Sequence, residues 1–256
     1  MNRELADEIR ASFSNLSEQR KILIDCSFDV VMDSAEQSSL AIQLQESYSH
    51  LRRYGMGGAQ MFLTDVNENL RSTLDKKGAS RWAVHIHSGA LKGVVQDLAV
   101  QTIYLSPDAV EELTCSEIQD ASIAFVIGGI VDKKVSRNET SHKATKMLMR
   151  CRRLPTDPTR LRNKIFNVDT VFKFLLQAMF TGISTRDELI RLLEETIPDR
   201  KIVPQCTSST KITLNNPLST CGRVTAGKGN TLKLNRYSIV ELFQYTTLRT
   251  AYRTSL

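Results

Sequence analysis

A chain of 256 residues with 41% apolar side chains is long enough to bury a real core and belongs with the globular proteins. Its net charge of +6 is unevenly spread: residues 1–149 carry 16 Lys and Arg against 20 Asp and Glu, whereas residues 150–256 carry 18 against 8. No apolar run approaches the roughly 18–20 residues that span a bilayer, the mixed charges from Arg3 to Glu18 are unlike a signal or transit peptide, and five scattered cysteines (Cys26, Cys115, Cys151, Cys206, Cys221) without a CxxC pair argue for a reducing compartment and against structural zinc.

Residues 1–20 have helical spacing and Lys21 to Cys26 reads as a short strand. Ser27 or Asp29 is the expected cap of a helix through Met32, Leu40, Leu44 and Tyr48 to Arg52 and Arg53. After the breaker Gly55 to Gly58, a strand is expected over Ala59 to Asp65 and a polar helix or loop over Asn67 to Lys77. The alternation from Trp82 to His87 predicts a further strand, and Thr102 to Leu105 another, ending at Ser106-Pro107-Asp108. His85 and His87 share a strand face, but without a third ligand at a supporting spacing they read as packing or surface histidines.

Phe125 to Val131 is rich in β-branched residues and interrupted by Gly128 and Gly129, the pattern of a buried strand whose end passes close to something. Asp132 follows, where a carboxylate either projects into a ligand crevice or caps a helix. Beyond it, Ser141 to Met149 reads as a helix, Arg152 to Pro155 as a short strand, and Thr170 to Thr181 and Thr185 to Glu195 as an antiparallel helix pair, with Asn167 or Asp169 as the cap of the first. The βαβα alternation over residues 21–200 predicts an α/β fold, a parallel sheet with helices on both faces.

Five blocks now stand in a telling order: Ile24 to Asp29, Tyr104 to Asp108, Ile127 to Lys133, Arg153 to Pro155 and Ile197 to Lys201. Over about residues 20–201 the chain resembles the tRNA position-nine purine N1-methyltransferases of the SPOUT superfamily. The resemblance implies a SPOUT-type parallel sheet with a trefoil knot toward its carboxyl end, and S-adenosyl-L-methionine held largely by backbone groups of three loops. Carried over, those loops are Ser106; Gly128 and Gly129 with Lys133, Lys134, Val135, Ser136, Arg137 and Ser141; and Leu154 and Pro155 with Ile165, Phe166 and Asn167. Glycines there would let the main chain approach the cofactor without a Cβ clash.

The resemblance puts Asp132 in the position of the general base, which would take the N1 proton of guanine as the methyl group arrives. Arg52 and Arg53 match an arginine pair of the family, and Arg150, Arg152 and Arg153 add cations expected to meet tRNA phosphates. A monomer acting on tRNA in the cytoplasm or nucleus is implied, with guanine or adenine as the target base. The alternative within the family is a mitochondrial, partner-dependent subunit of a ribonuclease P-like complex; outside it, a phosphate-binding turn at Gly128-Gly129 lacks the GxGxxG context. Three departures stand out: a short, mixed-charge segment 1–20 in place of a Lys-rich extension, a longer spacer between Tyr104 and Asp132, and a Ser/Thr-rich tail over residues 202–256 whose only acid is Glu241, expected to be poorly ordered.

Overall fold

The computed structural model describes residues 19–28, 31–55, 58–131, 138–161 and 165–198. The amino-terminal segment, residues 132–137 with Asp132, and the tail from 199 onward, all of which carry expectations above, lie outside the described residues.

Six strands, β1 (Arg20–Asp25), β2 (Ala59–Thr64), β3 (His85–Ile86), β4 (Gln101–Leu105), β5 (Ile123–Gly128) and β6 (Arg150–Arg152), form one sheet in the order β3-β2-β1-β5-β4-β6. Every pairing is parallel. A parallel sheet needs crossovers, and the intervening helices supply them: α1 (Ser34–His50), α2 (Glu68–Lys76), α3 (Leu91–Leu98), α4 (Cys115–Gln119) and α5 (Glu139–Lys146). Helices α6 (Val168–Phe180) and α7 (Arg186–Thr196) complete the chain's described part.

The period-two alternation of the strands divides the core by face. Ile22, Ile24, Met61, Leu63, Ile103, Leu105, Phe125 and Ile127 point to the face covered by α1, α6 and α7; Leu23, Phe62, Tyr104, Ala124 and Val126 point to the opposite face, under α3 and α5. Burial on both sides explains why β5 and the centres of β1 (Ile22–Ile24) and β2 (Met61–Leu63) are continuous apolar runs.

Several boundaries differ from expectation for identifiable reasons. Helix α1 starts at Ser34, because Asp33 and Glu36 form a reciprocal capping box there; the Ser27 amide is instead taken by the Asp25 carboxylate at 3.2 Å. The helix ends at His50 and passes into a π turn, Leu51–Gly55, that carries both arginines. The expected strand 82–87 shrinks to His85–Ile86, since Trp82 is drawn inward to stack on Tyr48 at 5.1 Å and the Ala83 amide donates to the Tyr48 hydroxyl. Helix α5 spans Glu139–Lys146 rather than 141–149, ending ahead of Leu148, whose left-handed φ of 55° turns the chain. Strand β6 pairs through Arg150–Arg152 instead of 152–155, where Pro155 has no amide to give.

Candidate active site at the sheet centre

Parallel strands end at one edge, so the turns after β5, β4 and β6 are neighbours there. Chain direction across the sheet reverses between β1 and β5, and Asp25 and Gly128 are register partners at that divide. Open parallel sheets place ligands at such a point.

Five of the sequence-predicted cofactor residues fall at or just beyond the ends of these three strands. Ser106 follows β4, 3% exposed, and its hydroxyl accepts from Thr140 Oγ1 at 2.8 Å and from the Asp108 amide at 3.3 Å. Gly128 closes β5 and Gly129 follows it. Leu154 and Pro155 follow β6 after Arg153 and are buried. The fold adds a second reason for the two glycines. A Cβ at Gly128 would lie 2.5 Å from Thr140 Cγ2, and one at Gly129 would lie 2.8 Å from the Asp25 carbonyl oxygen. Small size is demanded here by the protein's own packing against α5 and β1.

Ser141 lies on α5, whose start is tied to the turn after β4: the Asn138 amide donates to Asp108 Oδ2 at 2.9 Å. Asn167 is the N-cap residue of α6 but makes no side-chain cap bond; buried Gln43 of α1 reaches across to accept from the Val168 amide at 2.8 Å. Phe166 packs against the core cluster that holds Leu154 and Ile127, while Ile165 stays 39% exposed.

At the centre lies a network that motif reading passes over. The Asp25 carboxylate is fully buried and accepts from the Tyr104 hydroxyl at 2.7 Å. Lys143 of α5 straddles it, with Nζ 2.8 Å from Oδ1 and 2.6 Å from Oδ2, and also meets the Ser27 hydroxyl. The same ammonium lies 5.0 Å from the centre of the Phe28 ring. Burial first, and then the Asp25 charge, drive the Tyr104 hydroxyl's pKa well above its ordinary value, so this phenol stays a donor. Burial likewise pushes the neighbouring Cys26 thiol up, which keeps it inert. Asp25 and Tyr104 stood within the sequence blocks, but a lysine in the middle of a short polar helix carries no signal of its own.

The predicted phosphate contacts fall into two groups. Arg52 and Arg53 are exposed on the π turn, with Arg53 5.7 Å from the Tyr54 ring centre. Burial, and less strongly the charges of Lys173 and Arg53, push the neighbouring His50 down to about 4, so its imidazole stays neutral beside this turn. By contrast, Arg152 pairs with Glu111 and with Glu117 at 3.0 Å, and Arg153 pairs with Glu112 at 3.2 Å and donates to the Ala109 and Val110 carbonyls. Arg150 is intermediate, 3.9 Å from Glu117 and bonded to the Gln101 side chain.

The residues present suit S-adenosylmethionine. Backbone-rich turns with a buried hydroxyl would serve the polar amino-acid and ribose groups, and Ile165, 39% exposed beside Phe166, would offer an apolar wall for a purine.

A wholly parallel sheet with helices on both faces and loop residues gathered at a central strand-order reversal defines an α/β protein of the kind that binds nucleosides at its strand ends. Its fold is that of solved Trm10 proteins. Full-length spTrm10, crystallised with SAH, superimposes with a TM-score of 0.59 at 24% identity over 71% of this chain and 98% of the other; a dual-specific Trm10 from Thermococcus kodakaraensis gives 0.52 at 22% identity over 68% and 99%. Residues 2–202 match the family of the tRNA (guanine(9)-N(1))-methyltransferase TRM10/TRM10A, and the chain belongs to that family. Among curated relatives, tRNA methyltransferase 10 homolog A of Xenopus tropicalis is 30% identical over 68% of this chain and 54% of its own length. The tRNA (guanine(9)-N1)-methyltransferase of Candida glabrata is 26% identical over 78% of this chain and 69% of its own length. The chain thus spans about half the length of many of the curated relatives it matches.

Proposed function

We propose that this chain transfers a methyl group from S-adenosylmethionine to N1 of the guanine at position nine of tRNA. The observation that carries the reading is family membership over residues 2–202, with the expected cofactor residues Ser106, Gly128, Gly129, Leu154 and Pro155 on turns of three adjacent parallel strands. Bound S-adenosylmethionine would supply an electrophilic methyl group on a sulfonium. Backbone groups of the three turns hold and orient it, and Ile165 and Phe166 shield its adenine from water. Asp132 accepts the N1 proton, since a protonated guanine N1 is a poor nucleophile. Arg52 and Arg53 meet phosphates and set the register of the tRNA without reading its bases. The reading includes a trefoil knot, a monomeric enzyme and a cytoplasmic or nuclear location.

The test is methyl transfer from labelled S-adenosylmethionine to transcripts carrying G or A at the ninth nucleotide. We expect methylation of the G transcript, and a loss of about 10²–10⁴-fold in Asp132→Asn, the range for a general base. Binding of tRNA with no methylation of either transcript would overturn the catalytic reading in favour of a partner-dependent subunit. Unchanged activity in Asp132→Asn would remove that carboxylate from the chemistry.

A further inference from the structure

Asp25 is bonded twice to the chain that follows β5, through two different groups. Its carbonyl oxygen accepts from the Gly129 amide at 2.8 Å, and its carboxylate is clasped by Lys143, fourteen positions further on. Helix α5 has two more ties to the same edge, Thr140 to Ser106 and Asn138 to Asp108. Thr140 in turn occupies the space that a Cβ on Gly128 would need. The turn after β4, the turn after β5 and α5 are therefore tied together around Asp25: its carbonyl holds the β5 turn, its carboxylate holds α5, and α5 with the preceding Asn138 holds the β4 turn.

We propose that Lys143 is a positioning residue for the cofactor site: by clasping Asp25 it presses α5 onto the Gly128-Gly129 and Ser106 turns and fixes the backbone groups offered to S-adenosylmethionine. This rests on the reading of those turns as the cofactor site. The geometry favours this role over simple stabilisation because the ammonium is placed off the hydrophobic core. It sits at the mouth of the strand ends, its side chain 23% exposed over a carboxylate that is completely buried. A carboxylate so buried needs a partner somewhere, and the partner is supplied by the helix that the site needs to have seated. Tyr104 of β4 also bonds that carboxylate, and Cys26 follows it directly in the chain after β1.

The experiment measures S-adenosylhomocysteine affinity by calorimetry, tRNA affinity, and hydrogen exchange of the α5 amides in wild type, Lys143→Met, Lys143→Arg and Asp25→Asn/Lys143→Met. We expect Lys143→Met to weaken S-adenosylhomocysteine binding by about tenfold or more, as loosened positioning does. Exchange over Glu139–Lys146 should rise while tRNA affinity stays within twofold. Lys143→Arg, which keeps a cation, should recover most of the cofactor affinity. Should Lys143→Met fail to fold, the double variant, which removes the charge from both partners, carries the comparison: folded but weak for S-adenosylhomocysteine is the expected result. Wild-type cofactor affinity in either folded variant, or equal loss in Lys143→Arg and Lys143→Met, would overturn the proposal. A wild-type chain that binds S-adenosylhomocysteine but methylates no tRNA would overturn the proposed function and leave this proposal standing.

Discussion

Two arginine pairs in this chain look alike in sequence and differ in the structure. Arg52-Arg53 and Arg152-Arg153 are both adjacent cations beside an element end, and both suggest phosphate contacts. In the fold, Arg152 has only 17% of its side chain exposed and faces Glu117, itself 13% exposed, while Arg153 and Arg186 converge on Glu112. Arg52 and Arg53 stand exposed on a π turn, a distortion that often marks functional segments of helices. Like residues thus divide: Arg152 and Arg153 are part-buried against carboxylates, whereas Arg52 and Arg53 are exposed. Glu111, Glu112 and Glu117, in the long spacer between β4 and β5, supply that counter-charge.

Removing an arginine from each pair separates the roles. Arg152→Ala leaves Glu117 mostly buried without its close partner, so the largest effect should be on stability, about 2–3 kcal/mol by chemical denaturation. That falls below the about 3–5 kcal/mol of a fully buried pair because Glu111 and part of the site see water. Lost tRNA affinity with unchanged stability would reverse the assignment. Arg52→Ala/Arg53→Ala should do the opposite: stability within about 0.5 kcal/mol of wild type, and a salt slope of tRNA binding flatter by about 1–2. An unchanged slope would take these arginines off the RNA.

The smallest effect is expected at Glu112. The hydrogen bond from Arg186, and less strongly the charges of Arg186 and Arg153, hold its carboxyl below the ordinary value of 4.5. A carboxyl depressed in the folded state stabilises above its unfolded pKa, and that stability is lost as pH falls through the folded value. Glu112→Gln should therefore cost under about 1 kcal/mol near neutrality, in keeping with a half-exposed network, and should shallow the fall in melting temperature below about pH 4.5. An acid limb identical to wild type would show that Arg153 and Arg186 do without this partner.

The sheet was readable in advance because strand segments buried on both faces are apolar: Ile22 to Ile24, Ile103 to Leu105 and Phe125 to Gly128. Helices α6 and α7 were readable through spacing and, at Thr185, a capping box with Glu188. Trp82 to Val84 misled, since alternation describes the residues but not the pull of Tyr48 on the indole. In the candidate site, Ser106, Gly128, Gly129, Leu154 and Pro155 were legible only as pieces of motifs. Lys143 was not legible at all, because its meaning depends on a carboxylate far away in sequence. The fate of Arg152 and Arg153 was hidden for the same reason.

The distance between Asp25 and its partners has a consequence for how the chain is made. Tyr104 lies 79 residues downstream and Lys143 lies 118 downstream. At the roughly 5–20 residues per second of synthesis, β1 emerges about 6–24 s before the lysine that matches its carboxylate. Until β5 emerges, β1 and β2 can pair, but the middle of the sheet has neither its fifth strand nor its counter-charge. A nascent chain stopped short of β5 would present the half-sheet β3-β2-β1 ending in an unmatched acid, an exposed edge that invites chaperone capture and makes this protein's birth, rather than its mature state, its most vulnerable moment.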